Sequence, residues 1–204
     1  MHLGNDITPR LSLGFAEAVD ANSEFLRSAG FRQTSRRPTY VRYERGPTFI
    51  EYFHGRQSYE VGATIGRWIA VDERLAEEKF NLVDLVPALF PALVCEPATA
   101  TTSESVRRRV AEVANLLQEV LPRLNADQSA TFEAARLFVT QRSEMYLEGI
   151  QAGRIRADAD AAWRSRDFAA VVEAYERLKA LSTVTLTSAE AGRLRYADEH
   201  LGAG

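Results

Sequence analysis

The period of the hydrophobic pattern changes near the middle of this chain, and that change restricts the fold more than any other feature. Residues 39–44, 49–54 and 59–65 are three short runs of β-branched and aromatic residues, separated by turns that contain glycine or proline. Such runs predict β-strands, and their short connections favour antiparallel neighbours. From residue 105 onward, apolar residues recur only at helical spacing. The sequence therefore predicts an α+β fold, a three-stranded antiparallel meander followed by an all-helical C-terminal half.

Apolar residues at helical spacing predict the helices on either side of these strands. Before the meander, residues 12–29 form one helix that Gly30 ends. After it, residues 80–90 form a short amphipathic helix. The helices expected in the C-terminal half cover residues 105–121 with Pro122 as the stop, about twenty residues around Phe132, Val139 and Tyr146 with Gly149 and Gly153 at the exit, residues 155–164, residues 167–181, and a last helix from Thr187, which has capping-box spacing to Glu190.

Composition limits the class of protein. The 204 residues are 46% apolar and 26% charged, with a net charge of −3 at pH 7, which is typical of a folded globular chain. No apolar run reaches the roughly 18–20 residues of a membrane span, and residues 1–10 lack the apolar core of a signal peptide. The single cysteine, Cys95, excludes an internal disulfide, and we interpret it as a small packing residue. We therefore expect a cytoplasmic protein, and 23 arginines against 2 lysines indicate a GC-rich bacterial genome.

The best candidate for a linker is the segment at residues 97–103, which is small and polar and contains no large apolar side chain. We predict an α/β region over residues 1–96, a helical region over residues 104–204 and an exposed connection between them. The two regions carry similar charge, so only the pattern of apolar residues separates them.

Pairing the three strands across their turns places alternate side chains on two faces of the sheet. With Glu44 opposite Phe49, Tyr43 pairs with Ile50, and with His54 opposite Tyr59, Ile50 pairs with Ala63. The face predicted to pack on the first helix carries Val41, Tyr43, Ile50, Tyr52, Tyr59, Val61, Ala63 and Ile65. Because the other face mixes aromatic with charged residues, we expect a partner or the C-terminal helices to cover it. It carries Tyr40, Arg42, Glu44, Phe49, Glu51, Phe53, Glu60 and Thr64, with Arg42 opposite Glu51.

One group of residues has the types that hydrolysis needs. His54 is followed closely by Glu60, and Glu60 can face Glu51 across two strands, as the carboxylates of a glycosidase do. A hydrolytic enzyme with a site around His54, Glu51 and Glu60 is therefore an alternative. The sequence supplies no nucleophile beside them, and Arg42 is placed to neutralise Glu51, so structural roles explain the same residues.

No motif in the sequence predicts a metal or a cofactor. The three histidines, His2, His54 and His200, do not have the spacing of metal ligands. The segment from Gly62 to Gly66 lacks the lysine and the serine or threonine of a phosphate-binding loop. We expect neither kind of group in this protein.

Basic residues are concentrated before and within the first two strands. Between residues 27 and 45, six arginines accompany one carboxylate, Glu44, which gives a local charge excess of +5. Such a segment suits nucleic acid, which remains an alternative. The chain as a whole is acidic, and an acidic protein surface fits the segment at least as well.

Three resemblances add to these predictions. Phe31, residues 38–44, 54–62 and 65–66, and the stretch from residues 166–168 to 186–187 resemble a set of uncharacterised bacterial proteins, which implies an N-terminal α/β meander and a C-terminal helical half. The small size and the lack of catalytic motifs are similar in kind to those of immunity proteins of bacterial toxin systems. Residues 162–178 resemble the middle of a tetratricopeptide repeat, with Phe168, Val171 and Tyr175 in the characteristic places, which implies one helical hairpin of that kind.

The sequence thus favours a protein-interaction module over an enzyme, with an immunity or antitoxin-like role as its most concrete form. Its expected partner is another protein, with a toxin as one candidate, and no membrane is involved. Arginine beside aromatic residues is the composition of protein interfaces. The residues expected to bind the partner are Arg36, Arg37, Tyr40, Arg42, Glu44, Phe49, Glu51, Phe53, Arg56 and Glu60.

Overall fold

Five strands form one antiparallel sheet in the computed structural model, which describes residues 10–201. The α+β class and the helical C-terminal half are confirmed, but the predicted count of three strands is wrong. Each strand neighbours those before and after it in the sequence. The strands are β1 (Arg32–Arg37), β2 (Tyr40–Arg45), β3 (Thr48–His54), β4 (Val61–Val71) and β5 (Arg74–Asn81).

The two strands that the sequence analysis missed are the two edge strands. β1 contains no apolar residue, so it lacks the alternation by which a half-buried strand is recognised. β5 is rich in charged residues, and helix α3 (Leu82–Leu89) follows it directly. The last residues of β5, Phe80 and Asn81, were therefore included in the helix predicted over residues 80–90. An edge strand with charged side chains and a bulge, such as the one between Gln33 and Ser35 in β1, resists pairing with other chains.

The register between β2 and β3 is confirmed, with Tyr43 opposite Ile50 and Arg42 opposite Glu51. The register predicted between β3 and β4 is wrong by two residues, because His54 pairs with Val61 and not with Tyr59. Tyr59 lies outside the strand and has a φ of 51°, so the turn after His54 is longer than expected. A shift of two residues leaves the side chains of the paired strand residues on their predicted faces.

Helices cover the face of the sheet that was predicted to be buried. The helix expected over residues 12–29 is two helices, α1 (Phe15–Asn22) and α2 (Glu24–Ser28), interrupted at the buried Ser23. They pack on the sheet together with α4 (Ser103–Ala126), whose N-terminus has a capping box formed by Thr102 and Ser105. The main core contains Phe15, Val19, Leu26, Val41, Tyr43, Ile50, Tyr52, Ile65, Leu85, Val110 and Leu117.

The segment expected to be an exposed linker is joined to the sheet edge. The Val61 amide donates to the carbonyl of Ala98 at 3.0 Å, and the Ala100 amide donates to the carbonyl of Tyr59 at 2.8 Å. Ala100 is buried. The chain divides into two compact units after Phe138, and residues 97–103 lie within the first unit.

The second unit is helical and has its own core. It contains the later part of α5 (Gln128–Ser165), then α6 (Phe168–Lys179) and α7 (Ser188–Leu201). The capping box that starts α7 is confirmed, since Thr187 and Glu190 exchange side chain to backbone hydrogen bonds. The core of this unit is formed by Ala152, Ile155, Ala159, Val171, Ala174, Tyr175, Leu178, Leu194 and Ala197.

Proline and glycine interrupt the helices of the C-terminal half less than expected. Pro122 lies inside α4, which continues for another turn because the apolar residues around Pro122 remain packed. Gly149 and Gly153 lie inside α5, so the two helices predicted over that region are one. A glycine in a helix costs only about 1 kcal/mol, which a long helix tolerates. None of the helices within residues 10–201 combines the length and the apolar character needed to cross a membrane.

Candidate interaction site

A network of charged side chains centres on Arg42, on the face of the sheet opposite the main core. We call this surface the Arg42 face, and it comprises Tyr40, Arg42, Glu44, Phe49, Glu51, Phe53, Thr64, Trp68, Glu77 and Lys79. The guanidinium of Arg42 contacts three carboxylates. Its Nε donates to Glu44 at 2.7 Å, and its Nη1 donates to both Glu51 and Glu77 at 2.8 Å.

Glu51 is the buried carboxylate of this network. Besides Arg42, it accepts hydrogen bonds from the Tyr40 hydroxyl at 2.6 Å, the Thr64 hydroxyl at 3.0 Å and the Lys79 ammonium at 3.2 Å. Burial alone would raise the pKa of Glu51, but these donors outweigh it and hold the pKa below its ordinary value. Glu51 is therefore an ionised, fully engaged group and not a general acid.

Phe49 is fully buried although it lies outside the main core. Its ring packs on the backbone of Gly66, where a Cβ atom would overlap it. The Arg42 guanidinium carbon lies 3.9 Å from the ring centroid, and the Trp68 ring lies 5.9 Å away. The Arg42 face thus covers its own aromatic residue, which is neither of the two arrangements expected from the sequence.

The exposed apolar residues of this region lie where β4 and β5 extend beyond β3. β3 begins at Thr48, opposite Arg67, and the Trp68 amide still donates to the carbonyl of Pro47 at 2.8 Å. The residues of β4 after Trp68 pair only with β5. Trp68 and Leu75 share the side of the Arg42 face and are 38% and 74% exposed. We call Trp68, Ala70 and Leu75 the Trp68 patch.

The sequence analysis missed the Trp68 patch because β5 was not recognised. A signal was nevertheless present, since an apolar run at residues 68–71 and the shorter pair Leu75 and Ala76 flank a polar stretch of three residues, which begins with the turn residues Asp72 and Glu73. Both turn residues have positive φ, as a type I′ hairpin turn requires. Glycine and asparagine are the residues that normally mark such a turn, and neither is present.

The structure brings six of the ten predicted binding residues together on the Arg42 face, and these are Tyr40, Arg42, Glu44, Phe49, Glu51 and Phe53. The other four lie elsewhere. Arg36 is directed to α1, where it pairs with Glu17 and Asp20. Arg37 ends β1, Arg56 lies in the exposed turn after β3, and Glu60 bridges to Thr99 at the edge of β4.

The residues of the hydrolytic alternative do not converge. His54 lies on the core face, whereas Glu51 lies on the Arg42 face. The Nε2 of His54 donates to the carbonyl of Ala100 at 3.0 Å, and the ring packs beside Phe15 at 5.8 Å. Burial lowers the pKa of His54, although the Ala100 carbonyl opposes this effect. The histidine is a neutral packing residue in this position.

Most of the arginines between residues 27 and 45 have partners within the protein. Arg27 pairs with Glu24, and Arg45 donates to the carbonyl of Ala29 and to Asn125. Arg36 and Arg42 are paired as described above, so only two of the six, Arg32 and Arg37, form no ion pair or side-chain hydrogen bond within the described residues. Carboxylates compensate the charges of Arg27, Arg36 and Arg42, which reduces the charge excess on which nucleic-acid binding would depend.

Comparison with protein-family models, with curated proteins and with solved structures gives no match. Within residues 10–201, no group of three or more histidine, cysteine, aspartate or glutamate side chains is arranged to hold a metal ion. The histidine His2 lies outside the described residues.

Acid is expected to weaken the Arg42 network. The folded-state pKa of Glu51 lies below the ordinary value of 4.5, so its contribution to stability is complete above about pH 4.5 and is lost as the pH falls through the folded-state pKa. In urea denaturation, Glu51→Gln should be less stable than wild type at pH 7, and this difference should shrink below about pH 4.5. A difference that stays constant down to about pH 3 would contradict this role of Glu51.

Proposed function

We propose that this protein is a protein-binding module whose contact surface is the Trp68 patch together with the adjacent Arg42 face. The observation that carries the proposal is an exposed tryptophan held in place by an arginine and a buried aromatic ring. The Trp68 ring lies 5.5 Å from the Arg42 guanidinium carbon and 5.9 Å from the Phe49 ring. Tryptophan and arginine are the side chains that most often dominate the energy of protein interfaces.

Two further properties of the surface support this function. Trp68 is already ordered by its neighbours, so binding would cost little side-chain entropy. The Arg42 face combines two cations, Arg42 and Lys79, with three carboxylates that engage them. A nearly neutral polar surface beside an apolar patch resembles the rim and core of an interface. The partner that fits it presents an apolar group to Trp68 and hydrogen-bonding groups to the rim.

The narrower form of this proposal is an immunity or antitoxin-like role, in which the partner is a toxin. Its test is co-expression with candidate toxins encoded beside the gene, with growth as the readout. Rescue by the wild-type protein that is lost with Leu75→Ser would support the role. Binding to a non-toxic protein through the same patch would support the protein-binding function and would exclude the immunity or antitoxin-like role.

Substitution of the Trp68 patch should weaken binding without unfolding the protein. We expect Trp68→Ala to lower the affinity for an identified partner by about 30-fold, the effect of losing a central aromatic contact. Trp68 also covers Phe49, so its removal affects packing as well as binding. Leu75→Ser is therefore the second variant, because the exposed Leu75 side chain can be removed without disturbing packing. Titration calorimetry measures both affinities.

The matched control is Tyr146→Ser, which removes an aromatic side chain that is 69% exposed on α5. It should leave affinity unchanged. An unchanged affinity in both patch variants, with thermal denaturation showing that they are folded, would exclude this surface as the binding site.

A further inference from the structure

A groove of about 560 Å³ lies at the edge of the sheet in the first unit, away from the Trp68 patch. It lies along the edge of β4, between two segments that pair with this region of the chain. At one end β5 stops at Asn81, opposite Thr64, and at the other end Thr99 lies opposite Glu60. Helix α4 and the segment after α3 form its sides. Its apolar walls are Leu82, Val83, Leu93, Val94, Val113 and Leu116.

The groove exposes apolar surface that the core does not use. Val94 is 80% exposed, and Leu93 beside it is also exposed. The β4 residues that line the groove are Val61, Gly62 and Ala63, and the Phe53 ring packs on Gly62. A volume of this size lies within the range of about 300–1,000 Å³ found for small-molecule sites.

The charged residues around the groove are mostly acidic. Glu60, Glu96, Glu112 and Glu119 line it, with Arg109 as the one cation among the lining residues. Arg109 is neutralised by an ion pair with Glu112. The remaining three carboxylates form no ion pair with any residue in the described part of the chain. An apolar groove thus carries three uncompensated negative charges.

We propose that this groove binds a small organic cation with an apolar body, of the class of hydrophobic amines. The walls would bury the apolar part, and the ammonium group would approach Glu60, Glu96 and Glu119.

Cys95 provides a direct readout of occupancy. It lines the groove, is half-buried and is the single cysteine of the chain. Burial and the charge of Asp84 raise the pKa of its thiol, so alkylation by iodoacetamide is followed at one fixed alkaline pH, where more of the thiol is ionised. Decylamine should slow this alkylation in a saturable manner, because its chain would cover the thiol.

The comparison ligand is decanoate, which has a chain of the same length and the opposite charge. We expect decylamine to bind at least about tenfold more tightly than decanoate in titration calorimetry. Equal affinities, or tighter binding of decanoate, would overturn the proposal. The proposal would also be overturned if neither ligand bound or protected Cys95 at concentrations below its critical micelle concentration.

Charge variants localise the interaction. Glu96→Gln and Glu119→Gln should each weaken decylamine binding by about two- to fivefold. Glu144→Gln changes the net charge equally on α5, outside the groove, and should leave the affinity unchanged. Equal weakening in all three would show that only the overall charge matters. Protection of Cys95 by a basic amphipathic peptide but not by decylamine would overturn the proposal in favour of a macromolecular ligand.

Discussion

Replacement of Phe49 by alanine is expected to lower the free energy of unfolding by about 3–5 kcal/mol. The ring is fully buried between Gly66, Arg42 and Trp68, so its removal leaves a cavity on the Arg42 face. The substitution also removes the aromatic surface against which the Arg42 guanidinium stacks. Chemical denaturation measures the change. A loss below about 0.5 kcal/mol, typical of an exposed site, would show that the ring is not enclosed.

Gly66 provides a double-mutant test of the same packing. Gly66→Ala should destabilise the wild-type protein by about 1–3 kcal/mol, because the new Cβ overlaps the Phe49 ring and lies 2.9 Å from the Cβ of Lys79. In a Phe49→Ala background, the same methyl group enters the space that the ring has left. The two changes should therefore be non-additive by more than about 1 kcal/mol. Additive effects would contradict the contact between Phe49 and Gly66.

Ile50→Ala tests the opposite face of the same strand and is expected to cost about 2–5 kcal/mol. Ile50 is fully buried between Tyr43 on β2 and Ile65 on β4, in the main core. A register shifted by one residue would place it on the Arg42 face. The measurement is again the free energy of unfolding by denaturant.

The control for this substitution is Val71→Ala, which shortens a β-branched side chain at an exposed site of β4. Its effect should stay within about 0.5 kcal/mol. A comparable loss in both variants would indicate a general effect of strand propensity and would remove the packing argument for Ile50.

The faces of the three central strands could be predicted from sequence because a tight turn sets the pairing of β2 with β3 and side chains alternate between the two faces along each strand. Tyr43 and Ile50 are paired as predicted, and Glu51 lies opposite Arg42. The pairing of β3 with β4 could not be predicted, because it depends on the conformation of Tyr59 in the intervening turn. An aromatic residue with positive φ is uncommon, and the neighbouring residues of Tyr59 do not predict this conformation.

The burial of Phe49 on the Arg42 face could not be predicted from the hydrophobic pattern for a different reason. That Phe49 is buried depends on Gly66, whose lack of a side chain makes room for the ring, and on Trp68 in the extension of β4. These residues are far from Phe49 in the sequence and become neighbours only once the β3–β4 register is known. The charges of Glu77 and Lys79 enter the network through β5, whose alternation is obscured by its charge.

The order of the strands has a consequence for synthesis of the chain. Every strand pairs with its neighbour in the sequence, and three of the four connections contain only two residues between paired ends. Closing such short loops costs little entropy, and chains with low contact order fold fast. All five strands of the sheet have therefore left the ribosome once Asn81 has emerged. Helix α4, which covers the apolar face, follows only with residues Ser103–Ala126. The sheet can thus form as a series of hairpins during translation, and the part of its apolar face that α4 covers must be kept from aggregating until that helix arrives.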